Sequence, residues 1–192
     1  FFFKNIFLFI IVTLLVYPLL IVVSGSFIPK NFKPNISYKL GAYGHLYSRI
    51  QEVRKSVNNI DVLIVGSSHA YRGFDPRNFE NKKVFNLGSS SQSPINTGVL
   101  LKRYLDKLNP KIVIYEVFPN TFSGDGVESS LDIVSNDKND AQSVYMAFKI
   151  NNIKTYNTFI YSFFRDLLQL NKSYFEAVKK GKDTYVPGGF VE

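Results

Sequence analysis

The sequence predicts an α/β fold, a parallel sheet with flanking helices, incomplete as it stands and preceded by one N-terminal transmembrane helix. Three observations carry this. Ile6 to Val23 is an uncharged, almost wholly apolar run of 18 residues. Downstream, short β-branched apolar segments alternate with a segment of helical periodicity, as in a parallel sheet with covering helices. Each strand segment stops at a loop containing Gly or Pro, and ligands bind at the carboxyl ends of strands in such sheets.

At a 1.5 Å rise the apolar run is about 27 Å long, close to a bilayer core of about 30 Å. Pro18 inside it is tolerated better in a membrane helix than in a soluble one. Lys4 precedes the run, and Lys30, Lys33 and Lys39 follow, so flanking charge gives only a weak orientation. A retained signal anchor is the leading reading. A cleaved signal peptide is the alternative, because Ser24, Gly25 and Ser26 are small residues after the run. A buried soluble helix is the third. Either of the first two puts the main domain outside the cytoplasm, on the membrane of a bacterial envelope. The division is residues 1–26 as anchor or signal segment, 27–43 as a linker with Pro29 and Pro34, and 44–192 as a partial α/β domain.

Leu46, Ile50, Val53 and Val57 recur at helical spacing, and Asn58-Asn59 ends that helix. Ile60 to Val65 reads as a strand buried on both faces, stopped by Gly66. Val84 to Leu87 is a second strand, stopped by Gly88. Pro94 suits the first position of a helix lined by Leu101, Tyr104, Leu105 and Leu108, and Asn109-Pro110 ends it. Lys111 to Val117 is the third strand. Thr121 to Asp140 is polar and gives no clear element. From about residue 140 the chain is helical and aromatic-rich, over Ala141–Ile150 and Ile153–Leu170, with a further helical stretch expected over Asn171–Gly181.

Composition narrows the chemistry. The chain lacks Cys, which excludes disulfides, thiol catalysis and Cys-based metal sites. With His45 and His69 as its two histidines, a multi-His metal centre is excluded, and no cofactor is implied. Asp125, Glu128, Asp132 and Asp137 lack the ordered alternation of a calcium loop. The formal net charge is +8, but Lys and Arg are scattered singly, which argues against nucleic acid. The charge reads as a solvated surface near an acidic envelope.

Gly66-Ser67-Ser68-His69, after an apolar strand, is the segment richest in chemistry. A serine on a sharp strand-to-helix turn exposes its hydroxyl at the sheet edge, where backbone N–H groups stabilise an oxyanion. A serine-rich turn capping a helix is the plain alternative. Arg72 and Asp75 read as a structural pair fixing the loop, with Arg72 binding an anionic substrate group as the alternative. Glu116, at a strand end, reads as a structural hydrogen-bonding group. The local reading of His69 is hydrogen bonding within the loop, and that of His45 is structural.

Over roughly Ile60 to Asn120 the sequence resembles the SGNH/GDSL hydrolases, in a membrane-anchored extracytoplasmic branch. Gly66-Ser67-Ser68 is similar to their first block and Asn86-Leu87-Gly88 to their second. Phe118-Pro119-Asn120 occupies the place of the third, although it departs from the usual Gly-x-Asn-Asp. The resemblance implies a flavodoxin-like three-layer fold, Ser68 as nucleophile, and Gly88 and Asn120 as oxyanion donors. His69 and Arg72 become candidate substrate contacts. It also implies an ester substrate, an acylated glycan above all. The family's Asp-x-x-His block, which supplies the general base, does not occur in this chain. Since the chain starts at Phe1 and stops at Glu192 after a Pro-Gly-Gly turn, the expectation is a fragment whose base lies further on and which lacks turnover by itself.

Three functions compete at this stage. The first is an extracytoplasmic serine ester hydrolase or O-acyltransferase acting on envelope or exported polysaccharide. The second is a non-catalytic, membrane-anchored accessory or glycan-binding protein. The third is a phosphate-binding loop at Gly66–His69 with Arg72, which lacks both the Gly-x-Gly-x-x-Gly and the Walker pattern.

Overall fold

The computed structural model describes residues 2–32, 35–41, 44–55 and 58–192. Lys33, Pro34 and Val57 lie outside these residues. The chain is mixed α/β, with a three-stranded parallel sheet and a long N-terminal apolar helix.

Helix α1 (Phe2–Phe27) is long and apolar enough to cross a membrane. Phe2 to Val16 are exposed throughout, whereas Ile21 and Gly25 are buried against the domain. Gly25 and Ser26, read from the sequence as small residues after the apolar run, continue the helix. Gly25 is pressed on Tyr161, whose ring atoms would come within 2.4 Å of an added Cβ. Here a small residue serves helix packing.

Helix α2 (Leu46–Lys55) leads into β1 (Val62–Val65), then α3 (Ser68–Gly73), β2 (Val84–Asn86), α4 (Pro94–Leu108) and β3 (Ile112–Tyr115). The order is β2-β1-β3, all parallel, with Val62 opposite both Val84 and Ile112. Every residue of β1 is buried, as its continuous apolar run requires. Leu63 and Val65 face a large core with Ile50, Leu100, Ile133 and Met146. Val62 and Ile64 face a smaller one with Ala70 and Val84. Pro94 opens α4 behind Ser93, whose hydroxyl and backbone N–H both meet Asn96 Oδ1. Asn109 closes it in the left-handed region. Strand β3 is an edge strand, and Ile112 is 57% exposed.

The stretch from Thr121 to Asp140, which gives no clear element in the sequence, holds most of α5 (Pro119–Ser123) and all of α6 (Val127–Asn136), whereas α7 (Ala141–Ile150) and α8 (Ile153–Leu167) fall where helices are expected. Helix α6 buries Ser129, Ser130, Asp132, Ser135 and Asn136. Its inward face is satisfied by hydrogen bonds, among them Ser129 to Ser89 at 2.9 Å and Ser130 to Thr155 at 3.0 Å. The same face also buries Leu131, Ile133 and Val134, and the polar groups between them interrupt the apolar stripe by which a helix is read.

Asn171–Gly181 is not a helix. It runs through turns into an antiparallel meander of β4 (Lys179–Lys180), β5 (Asp183–Val186) and β6 (Phe190–Val191). Gly181 adopts φ +62°, which a helix interior does not accommodate. The meander docks on β2 and α2. Asn86 N–H donates to Gly188 O at 2.8 Å, and the buried Arg49 donates to Gly189, Gly88 and Gly44 carbonyls at 2.8–3.0 Å. It also corrects the Arg72–Asp75 pair. Arg72 forms a bidentate pair with Asp183, and Asp75 pairs with its near neighbour Arg77.

Candidate functional site

Strand β2 lies on one side of β1 and β3 on the other, so the chain changes direction at β1. The crevice beyond the carboxyl ends of β1 and β3 is where such sheets bind ligands. A cleft of about 350 Å³ opens there, lined by Ser67, Ser68, His69, Phe118 and Asn120 and rimmed by Asp125, Gly126 and Glu128.

Its geometry follows from the turn after β1. Gly66 has φ +145°, and an added Cβ would meet Glu116 within 2.7 Å, so only glycine lets the chain turn beside the end of β3. Ser67 is then buried as the N-cap of α3. Its backbone N–H donates to Glu116 Oε2 at 2.7 Å, and its hydroxyl donates to the same oxygen at 2.8 Å. Ser67 Oγ also lies 3.1 Å from His69 Nδ1. A hydroxyl has a single proton. With that proton directed at the Glu116 carboxylate, Nδ1 of His69 must carry a hydrogen to complete the bond. Neutral His69 therefore keeps its lone pair on Nε2. The ring is backed by Phe118, with centroids 4.4 Å apart.

Ser68, next in the chain, is half-buried and faces the cleft. Its hydroxyl makes no hydrogen bond among the described residues. Asn120, at the start of α5, is exposed and lines the same cleft, and its side-chain amide is likewise uncommitted among the described residues. Three residues named from the sequence, Ser68, His69 and Asn120, thus share one wall.

The other two do not join them. Gly88 sits beneath the turn, where an added Cβ would lie 2.9 Å from Gly66 O. Its N–H donates to Asn86 Oδ1 at 3.1 Å, and it does not line the cleft. Arg72 is turned to Asp183, and that partner holds its guanidinium above its ordinary pKa. His45 is buried away from the cleft, 3.7 Å from Glu176, and desolvation lowers its pKa. The Glu116–Ser67–His69 chain was not legible beyond Glu116's position at a strand end.

On the rim, Glu128 accepts the hydroxyls of Ser90 and Ser91 at 2.7 and 3.0 Å, which ties the loop after β2 to α6. A larger cleft of about 470 Å³ lies between α2 and the end of α8. Its serine, Ser135, donates to Leu131 O and is not available for chemistry. No group of acidic and histidine residues suited to a metal ion occurs among the described residues. A comparison of the chain with protein-family models, with curated proteins and with solved structures finds no match.

Proposed function

We propose that this protein is a membrane-anchored, extracytoplasmic serine ester hydrolase or O-acyltransferase acting on envelope or exported polysaccharide. The observation that carries the reading is the meeting of Ser68, His69 and Asn120 on one wall of the cleft beyond β1 and β3. The resemblance of Gly66-Ser67-Ser68 to the first block of SGNH/GDSL hydrolases supports it.

In this reading Ser68 Oγ attacks an acyl carbonyl. The Oγ–C bond forms, and charge develops on the carbonyl oxygen. The Asn120 amide and the Ser68 N–H receive that charge. As the intermediate collapses, the ester C–O bond breaks, the alcohol departs with a proton, and an acyl-enzyme remains. Water resolves it in a hydrolase, a sugar hydroxyl in a transferase. The proton leaving Ser68 needs a base at the cleft. His69 offers Nε2, held in its acceptor form by the Ser67–Glu116 tether.

A second reading is a non-catalytic, membrane-anchored glycan-binding or accessory protein. The committed Gly88 N–H favours it, since one oxyanion donor expected from the resemblance is occupied. Fluorophosphonate labelling separates the two. The first reading expects a covalent adduct on Ser68, lost in Ser68→Ala and kept in Arg72→Ala. A protein that takes no label, or labels equally with Ser68→Ala, overturns the first reading in favour of the second.

A further inference from the structure

We infer that the corner between α7 and α8 is a membrane seat, pressed into the headgroup region of the bilayer that α1 enters. The inference rests on reading α1 as a membrane helix.

The uncharged part of α1 that stands clear of the domain is too short to span by itself. Lys4 and Asn5 bound it on one side, and Ile6 to Val16 are exposed on every side. Those eleven residues rise about 16 Å, against a hydrocarbon core of about 30 Å. The remaining length, on the order of 14 Å, has to come from Tyr17 onward. There α1 is already joined to α8. Tyr17 donates to Asn157 Oδ1 at 2.5 Å, and Gly25 lies against Tyr161. Inserting α1 fully therefore draws the neighbouring edge of the domain to interfacial depth. Tilting α1 shortens its span along the normal and draws the edge deeper.

The level of that edge follows from the same two contacts. From Tyr17 to Gly25 the chain moves away from the free end of α1, and the contacts move forward along α8 from Asn157 to Tyr161. The start of α8, and the corner preceding it, thus face the bilayer. The corner has the surface an interface requires. Phe148 and Ile153 are 69% and 52% exposed. Phe148 meets Tyr156 edge-on at 5.8 Å. Lys102 and Lys149 lie over the Tyr145 ring at 4.8 and 5.8 Å. Apolar and aromatic side chains beside lysines suit the boundary between acyl chains and anionic headgroups.

The seat has a consequence for the cleft. Ile150, at the end of α7, packs on Gly126, where an added Cβ would fall 2.7 Å from its Cδ1. Gly126 is part of the cleft rim. The Ser68 cleft therefore lies beside the bilayer surface, and its ligand is one met there, such as an acyl group on a membrane-bound carrier.

The chain contains no Trp, so single tryptophans report position directly. The full chain is reconstituted into phosphatidylcholine–phosphatidylglycerol vesicles, with or without bromine on the acyl chains. Leu8→Trp tests the anchor and Phe148→Trp the seat. Phe175→Trp is the control, because Phe175 is exposed beyond the far end of α8. All three positions are exposed and tolerate the ring. Bromine is expected to quench L8W strongly, F148W clearly and F175W little. Quenching of L8W without F148W overturns the seat and leaves the anchor standing. Equal quenching of F148W and F175W overturns the orientation on which the seat depends. An unquenched L8W overturns the anchor and the seat together.

Discussion

Asp132 is expected to make the domain less stable as pH rises through neutrality, and Asp132→Asn is expected to remove that loss. The residue lies on α6, fully buried, with Oδ1 accepting from Asn136 Nδ2 at 2.9 Å and no partner for Oδ2 among the described residues. Desolvation raises its pKa from 3.8 to about 8, with Arg49 opposing and Glu176 adding to the rise. The folded-state pKa stands above the unfolded one, so this contribution is fully present below about pH 4 and is lost as pH climbs towards 8. Within the window the unfolded chain has released a proton that the folded chain retains. Stability then falls by about 1.4 kcal/mol per pH unit, on the order of 5 kcal/mol across the interval. Asparagine keeps the shape and the bond to Asn136 without titrating. Urea unfolding in mild detergent, followed by near-ultraviolet circular dichroism of the tyrosines, measures both proteins from pH 4 to pH 8. The variant is expected to match the wild type near pH 4 and to gain steadily above it. A difference that stays constant with pH would show that Asp132 is ionised throughout and refute the reasoning.

Ser67→Ala removes the acceptor that holds Nδ1–H of His69. Nitrogen NMR of the imidazole is expected to show the Nδ1–H form in the wild type and a shift towards Nε2–H in the variant, while an Nε2–H wild type would contradict the tether. Gly189→Ala places a Cβ 2.1 Å from Asn86 O at φ +86°, and a loss of roughly 2–3 kcal/mol is expected in the urea midpoint. Arg103 is buried and bound to Asp137, Asp140 and Ser143 at 2.6–2.7 Å. Arg103→Met leaves Asp137 to Arg54 and Tyr104 and is expected to cost about 1.5–3 kcal/mol by the same assay. Ile112→Lys charges the exposed edge strand β3, and size-exclusion chromatography is expected to show less self-association with stability changed by no more than about 0.5 kcal/mol.

Local patterning determined much of this protein. The apolar run could only be a long helix, because each backbone group bonds within it whatever surrounds it. The all-apolar β1 could only be an inner strand, and Pro94 and Asn109 mark the ends of α4 by conformational preference alone. The turn after β1 was legible too, since Gly66 and the serines following it carry both shape and chemistry. Tertiary structure decided the rest, where long-range contacts override local preference. Helix α6 buries serines and Asn136 among its apolar residues, and Ser129 and Ser130 find partners on distant segments, so its apolar stripe announces its inward face only in part. Arg72 finds Asp183 rather than Asp75 because the C-terminal meander, more than a hundred residues on, folds back beside α3. Glu116 becomes the anchor of Ser67 and His69 only when β3 pairs with β1, a register that many apolar residues set together. Where α1 stops standing clear of the domain is decided by where α8 joins it, and that contact spans most of the chain.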